Sequence, residues 1–279
     1  ALRASFNRMF MPPQLENLLL ANSDEARALS PFADYTNGGA PIKPETMSAY
    51  EIGFAQDVKG WFKLDVAWWD REFRNFDDPN VFFNTTVIFP NSVTSGFARG
   101  LEARLDVPLR KGWSGYVSYT NARVLQRGPI NGGLFLTDEF AEIGNGMPFI
   151  PDHDQRNVGA FGLMHSRRLN QLGEWWFALA GRHESGVPLQ VEADRLADLR
   201  KAPSAELVNF DRQRVKPWTV FDFSTGFDWL RRDRVTVSLQ FDLQNFTNRA
   251  FAYNFGNPFE GTHFGHPRLV SGKLKFNFR

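Results

Sequence analysis

Near the end of the chain, apolar and polar residues alternate along three stretches. Phe221, Phe223, Phe227 and Trp229 oppose Asp222, Ser224 and Asp228. Val235, Val237, Leu239, Phe241 and Leu243 then alternate with Thr236, Ser238, Gln240, Asp242 and Gln244, and Val270, Leu274, Phe276 and Phe278 with Ser271, Lys273, Lys275 and Asn277. Side chains of a strand point to opposite faces with period two, so each stretch predicts a strand with one aromatic-rich face and one wet face. Similar alternation upstream brings the prediction to ten strands, near 1–10, 46–58, 61–74, 93–108, 113–126, 155–167, 174–187, 217–230, 234–247 and 267–278. Ten to twelve residues at ~3.3 Å each, tilted by ~45°, rise roughly 25 Å, the height of a membrane's apolar band. The expected fold is all-β: a transmembrane, antiparallel up-and-down barrel wall with lipid on one face and water on the other.

The connectors orient that wall. Those after the second, fourth, sixth and eighth strands are short (58–60, 110–112, 166–173 and 231–233), whereas those after the odd-numbered strands are long. In outer-membrane barrels short turns are periplasmic and long loops extracellular, so the C-terminus is expected in the periplasm. Trp61, Trp113 and Trp175 follow short turns and Trp229 precedes one, as a membrane-interface girdle requires. Trp68, Trp69 and Trp218 lie at the other strand ends, where a second girdle would run. Segments 14–28 and 191–202 have helical spacing and are read as short loop helices.

Composition is consistent with a barrel. Mean hydropathy is −0.37, and no run approaches the ~18 apolar residues of a membrane helix, but a barrel strand turns only alternate residues to lipid. The balance of 32 basic and 31 acidic residues gives no footprint for nucleic acid. With no cysteine, disulfides, thiol catalysis and thiolate metal sites are excluded. The chain starts Ala1-Leu2-Arg3, already in a strand pattern and without a signal peptide, so it reads as the C-terminal part of something longer.

Three groups of residues carry candidate chemistry. Glu51, Asp65, Glu102, Arg104 and Asp106 fall on wet faces, where they pair within the wall or line a lumen. The long loops are dense in aromatics: Phe82 and Phe83; Phe135 and Phe149; Tyr253, Phe255 and Phe259. Such rings either pack loop against loop or line a ligand vestibule. His263, His266 and the triplet Asp152-His153-Asp154 have metal-ligand chemistry but lack a third aligned ligand, so surface histidines are expected and neither metal nor cofactor is. No nucleophile-elbow, phosphate-loop or zinc-protease motif is present, and no enzyme is expected.

Several segments resemble the TonB-dependent receptors of the Gram-negative outer membrane. Lys43-Pro44-Glu45 with Ala49-Tyr50-Glu51-Ile52-Gly53 is similar to that family's strand entry. Gly100-Leu101-Glu102, within 96–105, resembles the strand after a long loop. Leu243-Gln244-Asn245-Phe246-Thr247-Asn248-Arg249 resembles the signature near its C-terminus, although Phe246 and Thr247 replace Leu and Asp. The family often ends in Phe, whereas here Phe278 precedes Arg279. The resemblance implies that residues 1–279 are a partial barrel domain, about the last ten strands of a barrel of about 22. It further implies active import of a scarce solute (siderophore, cobalamin, glycan or similar). The partners would be the protein's own plug domain, the TonB energy-coupling complex, outer-membrane lipid and lipopolysaccharide. The alternative is a small closed outer-membrane barrel acting as a passive pore, adhesin or rim-loop enzyme. A soluble carbohydrate-binding β-protein is a third reading.

Overall fold

Ten long strands succeed one another across a single antiparallel sheet. They are β1 (Leu2–Met11), β2 (Glu45–Val58), β3 (Phe62–Val81), β4 (Ile88–Arg110), β5 (Trp113–Asn131), β7 (Asn157–Leu169), β8 (Gly173–Glu184), β11 (Trp218–Arg231), β12 (Val235–Gln244) and β13 (Leu269–Phe278). The short β6 (Pro148–Phe149) pairs with β5, and β9 (Val208–Asn209) with β10 (Arg214–Val215) in a separate ladder. The structure is a computed structural model describing residues 1–13, 42–81, 88–131, 144–170, 172–189, 191, 195–231, 235–256 and 261–278. Among these, β1 and β13 do not pair with each other, so the sheet is open rather than the small closed barrel of the alternative reading.

The short connectors turn on left-handed residues. Lys59 and Gly60 (φ 51° and 69°) reverse the chain between β2 and β3, and Lys111 and Gly112 (φ 50° and 86°) between β4 and β5. Two successive positive φ angles match the twist of the flanking strands, which is why so few residues suffice. The Gly60 N–H is held by Asp57 Oδ1 at 2.8 Å.

β3 and β4 outrun their predicted limits at 74 and 93, and form a long projecting hairpin. Two local irregularities hid this extension. Asn75 takes a left-handed φ of 53°, and the β4–β5 register shifts between Val93 and Ser95. Each slips the alternation by breaking its period. Within the hairpin the half-buried Asp77 carboxyl has an Oδ1 without a hydrogen-bond partner among the described residues, while its N–H donates to Glu45 Oε2. Burial pushes the Asp77 pKa above the ordinary carboxylate value. At low pH both folded and unfolded chains are protonated there and nothing is lost. As pH rises past the ordinary value the unfolded chain ionises first, and stability falls until the raised folded pKa is passed. Asp77→Asn should therefore slow proteolysis of the hairpin at pH 7 and flatten the pH dependence of that rate. An unchanged rate at pH 7 would contradict the burial argument.

The compact apolar cores lie at the long-loop rim. One unites Val187, Val208, Val215, Ala252 and Phe255; a second joins Val93 and Ile130 with Phe76 and Phe149. By contrast, the wall leaves Leu2, Ile52, Leu101, Val117, Leu239 and Leu274 exposed on one face. Among the described residues of the helix expected at 191–202, one turn is helical, α1 (Leu196–Leu199), followed by a 3-10 turn at Pro203–Leu207. Segment 14–28 lies outside the described residues.

Candidate functional site

Strand register sorts the wall side chains between two faces. Asp65 lies opposite Arg104, Lys63 opposite Asp106, and Ala67 opposite Glu102, which in turn opposes Thr120. Residues in register share a face, so Asp65, Glu102, Arg104 and Asp106 occupy one polar face, joined by Glu51 through Trp69. Four of these five are engaged within the wall. Arg3 holds Glu51 at 2.8 Å and grips both Asp65 oxygens at 2.8 and 2.9 Å. Arg104 clasps Asp106 at 2.7–3.0 Å and lies over the Tyr116 ring. These pairs are largely exposed and contribute little to stability; what they do is neutralise the face. Glu102 makes no hydrogen bond or ion pair among the described residues. Gly53, from the strand-entry motif, lies under Arg3. A Cβ there would sit 2.5 Å from Arg3 Cζ, so the glycine admits the guanidinium that bridges Glu51 and Asp65.

At the long-loop end of the same face lies a cluster that the sequence reading did not assemble. Arg182 donates to Tyr253 Oη at 3.0 Å, approaches Glu184 at 3.4 Å and lies 4.8 Å from the Trp218 ring. Trp218 packs on Phe251 with ring centres 4.3 Å apart and planes tilted by 33°, and meets Tyr253 edge-on. Beside this cluster opens a cavity of about 290 Å³, lined by Glu206, Lys216, Trp218, Arg249 and Phe251 among others. Tyr253 is 38% exposed, whereas Phe255 is 1% exposed inside a loop core and Phe149 packs against Val93 and Ile130. Phe255 is thus enclosed in a loop core, while Phe149 packs against one and stays half-buried. Phe82, Phe83, Phe135 and Phe259 lie outside the described residues.

The triplet 152–154 holds no open ligand set. Asp154 is buried at 1% exposure and ion-paired to Arg214, and His153 projects into solvent beside Asp152. Among the described residues no three His, Asp or Glu side chains gather as metal ligands.

The other face is apolar and bordered by indoles. Trp113 packs on His165 with ring centres 4.3 Å apart and planes tilted by 32°, and meets Phe177 edge-on, while Trp175 contacts Phe177 and donates to Thr225. Trp229 lies on this face beside Phe227, and Trp61 sits in the β2–β3 turn under Arg110. The second girdle differs from expectation. Trp68 faces outward, but Trp69 and Trp218 are on the polar face, Trp218 at only 3% exposure. Adjacent residues of a strand must point to opposite sides, so Trp68 and Trp69 cannot both reach the belt.

A sheet with one self-neutralised polar face, one bare aromatic face, tight turns at one rim and packed loops at the other defines a transmembrane β-barrel wall. The TonB dependent receptor-like β-barrel profile matches residues 1–246, and the chain belongs to that family, one of receptors rather than enzymes. Among solved structures, the pyoverdine outer membrane receptor FpvA of Pseudomonas aeruginosa PAO1 is 14% identical, with a TM-score of 0.60 over 100% of this chain and 34% of its own. The ferric-catecholate import receptor Fiu of E. coli K12 gives 13%, 0.61, 99% and 32%, and the copper transporter OprC 13%, 0.56, 99% and 37%. At these identities the likeness is one of fold. The chain spans about a third of the length of each. No curated protein matches by sequence. The wall belongs in the outer membrane.

Proposed function

We propose that this chain forms the closing wall of a TonB-dependent importer that takes a scarce solute across the outer membrane. The observation that carries this reading is the polar face, whose ion pairs close within β1–β4 and which carries an aromatic–arginine cluster on β8 and β11 at the loop rim. A solute captured by the loops meets Tyr253, with Arg182 and Trp218 beneath it, and then a hydrated wall. Plug movement powered through the TonB energy-coupling complex opens the route along that wall. Glu102, which has no partner among the described residues, is the lumen charge available to a basic group of the plug. Outer-membrane lipid and lipopolysaccharide surround the other face, and the C-terminus lies in the periplasm. The solved relatives named for pyoverdine, ferric catecholate and copper favour a metal or its chelate as the solute.

A deletion strain grown on a panel of limiting nutrients identifies the solute, and its uptake should stop when the proton-motive force is collapsed. Uptake that continues without that force would replace an importer with a passive pore. In the restored strain, Tyr253→Ala with Arg182→Ala should weaken solute binding by about tenfold, on the scale of one lost aromatic and one lost charged contact. Unchanged affinity, measured by titration of the purified protein, would remove this cluster from the path.

A further inference from the structure

The loop-rim end of the polar face carries side chains that a hydrated surface does not call for. Along β1 that face runs Arg3, Ser5, Asn7 and then Met9 and Met11, in register with Gly53, Glu51, Ala49, Met47 and Glu45 of β2. Met9 lies directly opposite Met47, and Met11, opposite Glu45, closes the ladder where the long connector begins. Three of the chain's five methionines thus hold adjacent places on one face. Met9 and Met11 are 46% and 52% exposed, so no core accounts for them. Met164, also on the polar face and 42% exposed, has only Ser114 and Ala178 in register.

The register brings the three thioethers within reach of one point. Opposed Cβ atoms lie ~5 Å apart and the diagonal from Met11 to Met47 spans ~7–8 Å, distances that a side chain with three rotatable bonds crosses. The neighbours leave the space between the sulfurs clear. Phe73, opposite Met47 on β3, leans over β4, where a Cβ on Gly96 would collide with its ring. Arg71, one step lower on the same face, lies over the Trp69 ring at 5.1 Å, which turns its charge down the wall. Glu45 accepts the Asp77 N–H at 3.3 Å and places a carboxylate beside Met11. A thioether is a neutral, soft donor, and β1, β2 and β3 contain no histidine or cysteine. Such a set suits a soft monovalent cation rather than zinc, which takes thiolate, imidazole and carboxylate, or calcium, which takes oxygen.

We infer that Met9, Met11 and Met47 form a binding site for a soft monovalent cation, Cu(I) or Ag(I), at the loop-side mouth of the polar face. The site is separate from the Tyr253 cluster, binds the ion without changing its oxidation state, and rests on the wall orientation adopted above. The test offers Ag(I) alone, in chloride-free buffer, to the full-length protein purified from outer membranes in detergent. Bound silver is counted after equilibrium dialysis, and its neighbours are read by X-ray absorption. Wild-type protein should hold silver with sulfur as the scattering neighbour and release it to Cu(I) but not to excess zinc or calcium. Met9→Leu with Met47→Leu keeps the apolar surface and removes two sulfurs, so affinity should fall at least about tenfold. Met164→Leu should leave it unchanged. A thioether has no proton to lose, so retention should be equal at about pH 5 and about pH 7, where an imidazole site would weaken. Full retention by the double leucine variant would reduce the methionines to an adaptable packing surface and overturn the inference. Nitrogen or oxygen neighbours to silver, or its displacement by zinc, would do the same. Retention is read on the isolated protein with no energy source, so failure of this site and failure of the import reading appear in different measurements.

Discussion

Asn245→Ala should cost about 3 kcal/mol in the stability of the β12–β13 end of the wall, from several buried polar groups losing their partners at once. Asn245 is 5% exposed and sits at a left-handed φ of 45° immediately after β12. Its Nδ2 donates to the carbonyls of Arg249 and His266, both at 2.9 Å, and its Oδ1 accepts the Arg249 N–H at 2.9 Å. Its own N–H donates to Asp222 Oδ1 on β11 at 2.7 Å. One side chain thus closes the turn after β12 and fastens it to the segment that enters β13. Alanine leaves two carbonyls and one amide without partners in a buried site and loses the tolerance of Asn for positive φ. Asn245→Asp is the finer probe, since it keeps the acceptor for Arg249 but turns a carboxylate oxygen onto two carbonyls in a buried site, and it should be at least as destabilising as alanine. The readout is the temperature at which the compact form, resolved by heat-modifiable electrophoresis, converts to the unfolded one. Equal transitions for alanine and wild type would mean that this turn is held by something other than Asn245.

The same residue shows what the sequence could and could not disclose. Asn245 stood out within a motif, but its partners at Asp222 and His266 are about twenty residues away on either side, and no local pattern pairs them. The wall was legible because alternation is imposed strand by strand: lipid on one side and water on the other leave a period-two record. That record stopped at Asn75 and Ser95, where a left-handed residue and a register shift break the period, and the hairpin beyond was read as loop. The alternation itself puts Trp69 opposite Trp68, and Trp218 opposite Phe221, so neither shares the outward face. For the candidate site the limit is different. Arg182 falls on the polar face by alternation, but its contact with Tyr253 spans 71 positions and a long connector. Burial also separated residues that composition could not: Tyr253 and Phe255 are two positions apart, one on the surface and the other inside a loop core.

That loop core depends on a buried ion pair, and breaking it should have the larger effect. Asp154 Oδ2 is paired with Arg214, Oδ1 accepts the Val124 N–H at 2.9 Å, and the Arg214 guanidinium also donates to the carbonyls of Asp154 and Gly186 at 2.7 and 3.1 Å. These contacts join the segment before β7, the end of β8 and the β9–β10 ladder, on which Phe255 packs. Arg214→Ala strands a carboxylate at 1% exposure with one backbone donor and should destabilise the loop assembly by about 3–5 kcal/mol. Adding Asp154→Asn should restore part of that loss, because the neutral amide still accepts from Val124 without needing a counter-charge. The double variant should therefore be more stable than Arg214→Ala alone, a sign that packing loss by itself does not produce. Because the wall strands keep their own ladders, the change should appear as faster amide exchange across 185–217 while β2–β5 remain protected. If exchange rises equally through the wall, the loops and barrel unfold as one unit. If the double variant is no more stable than the single, the buried charge is not what Arg214 serves.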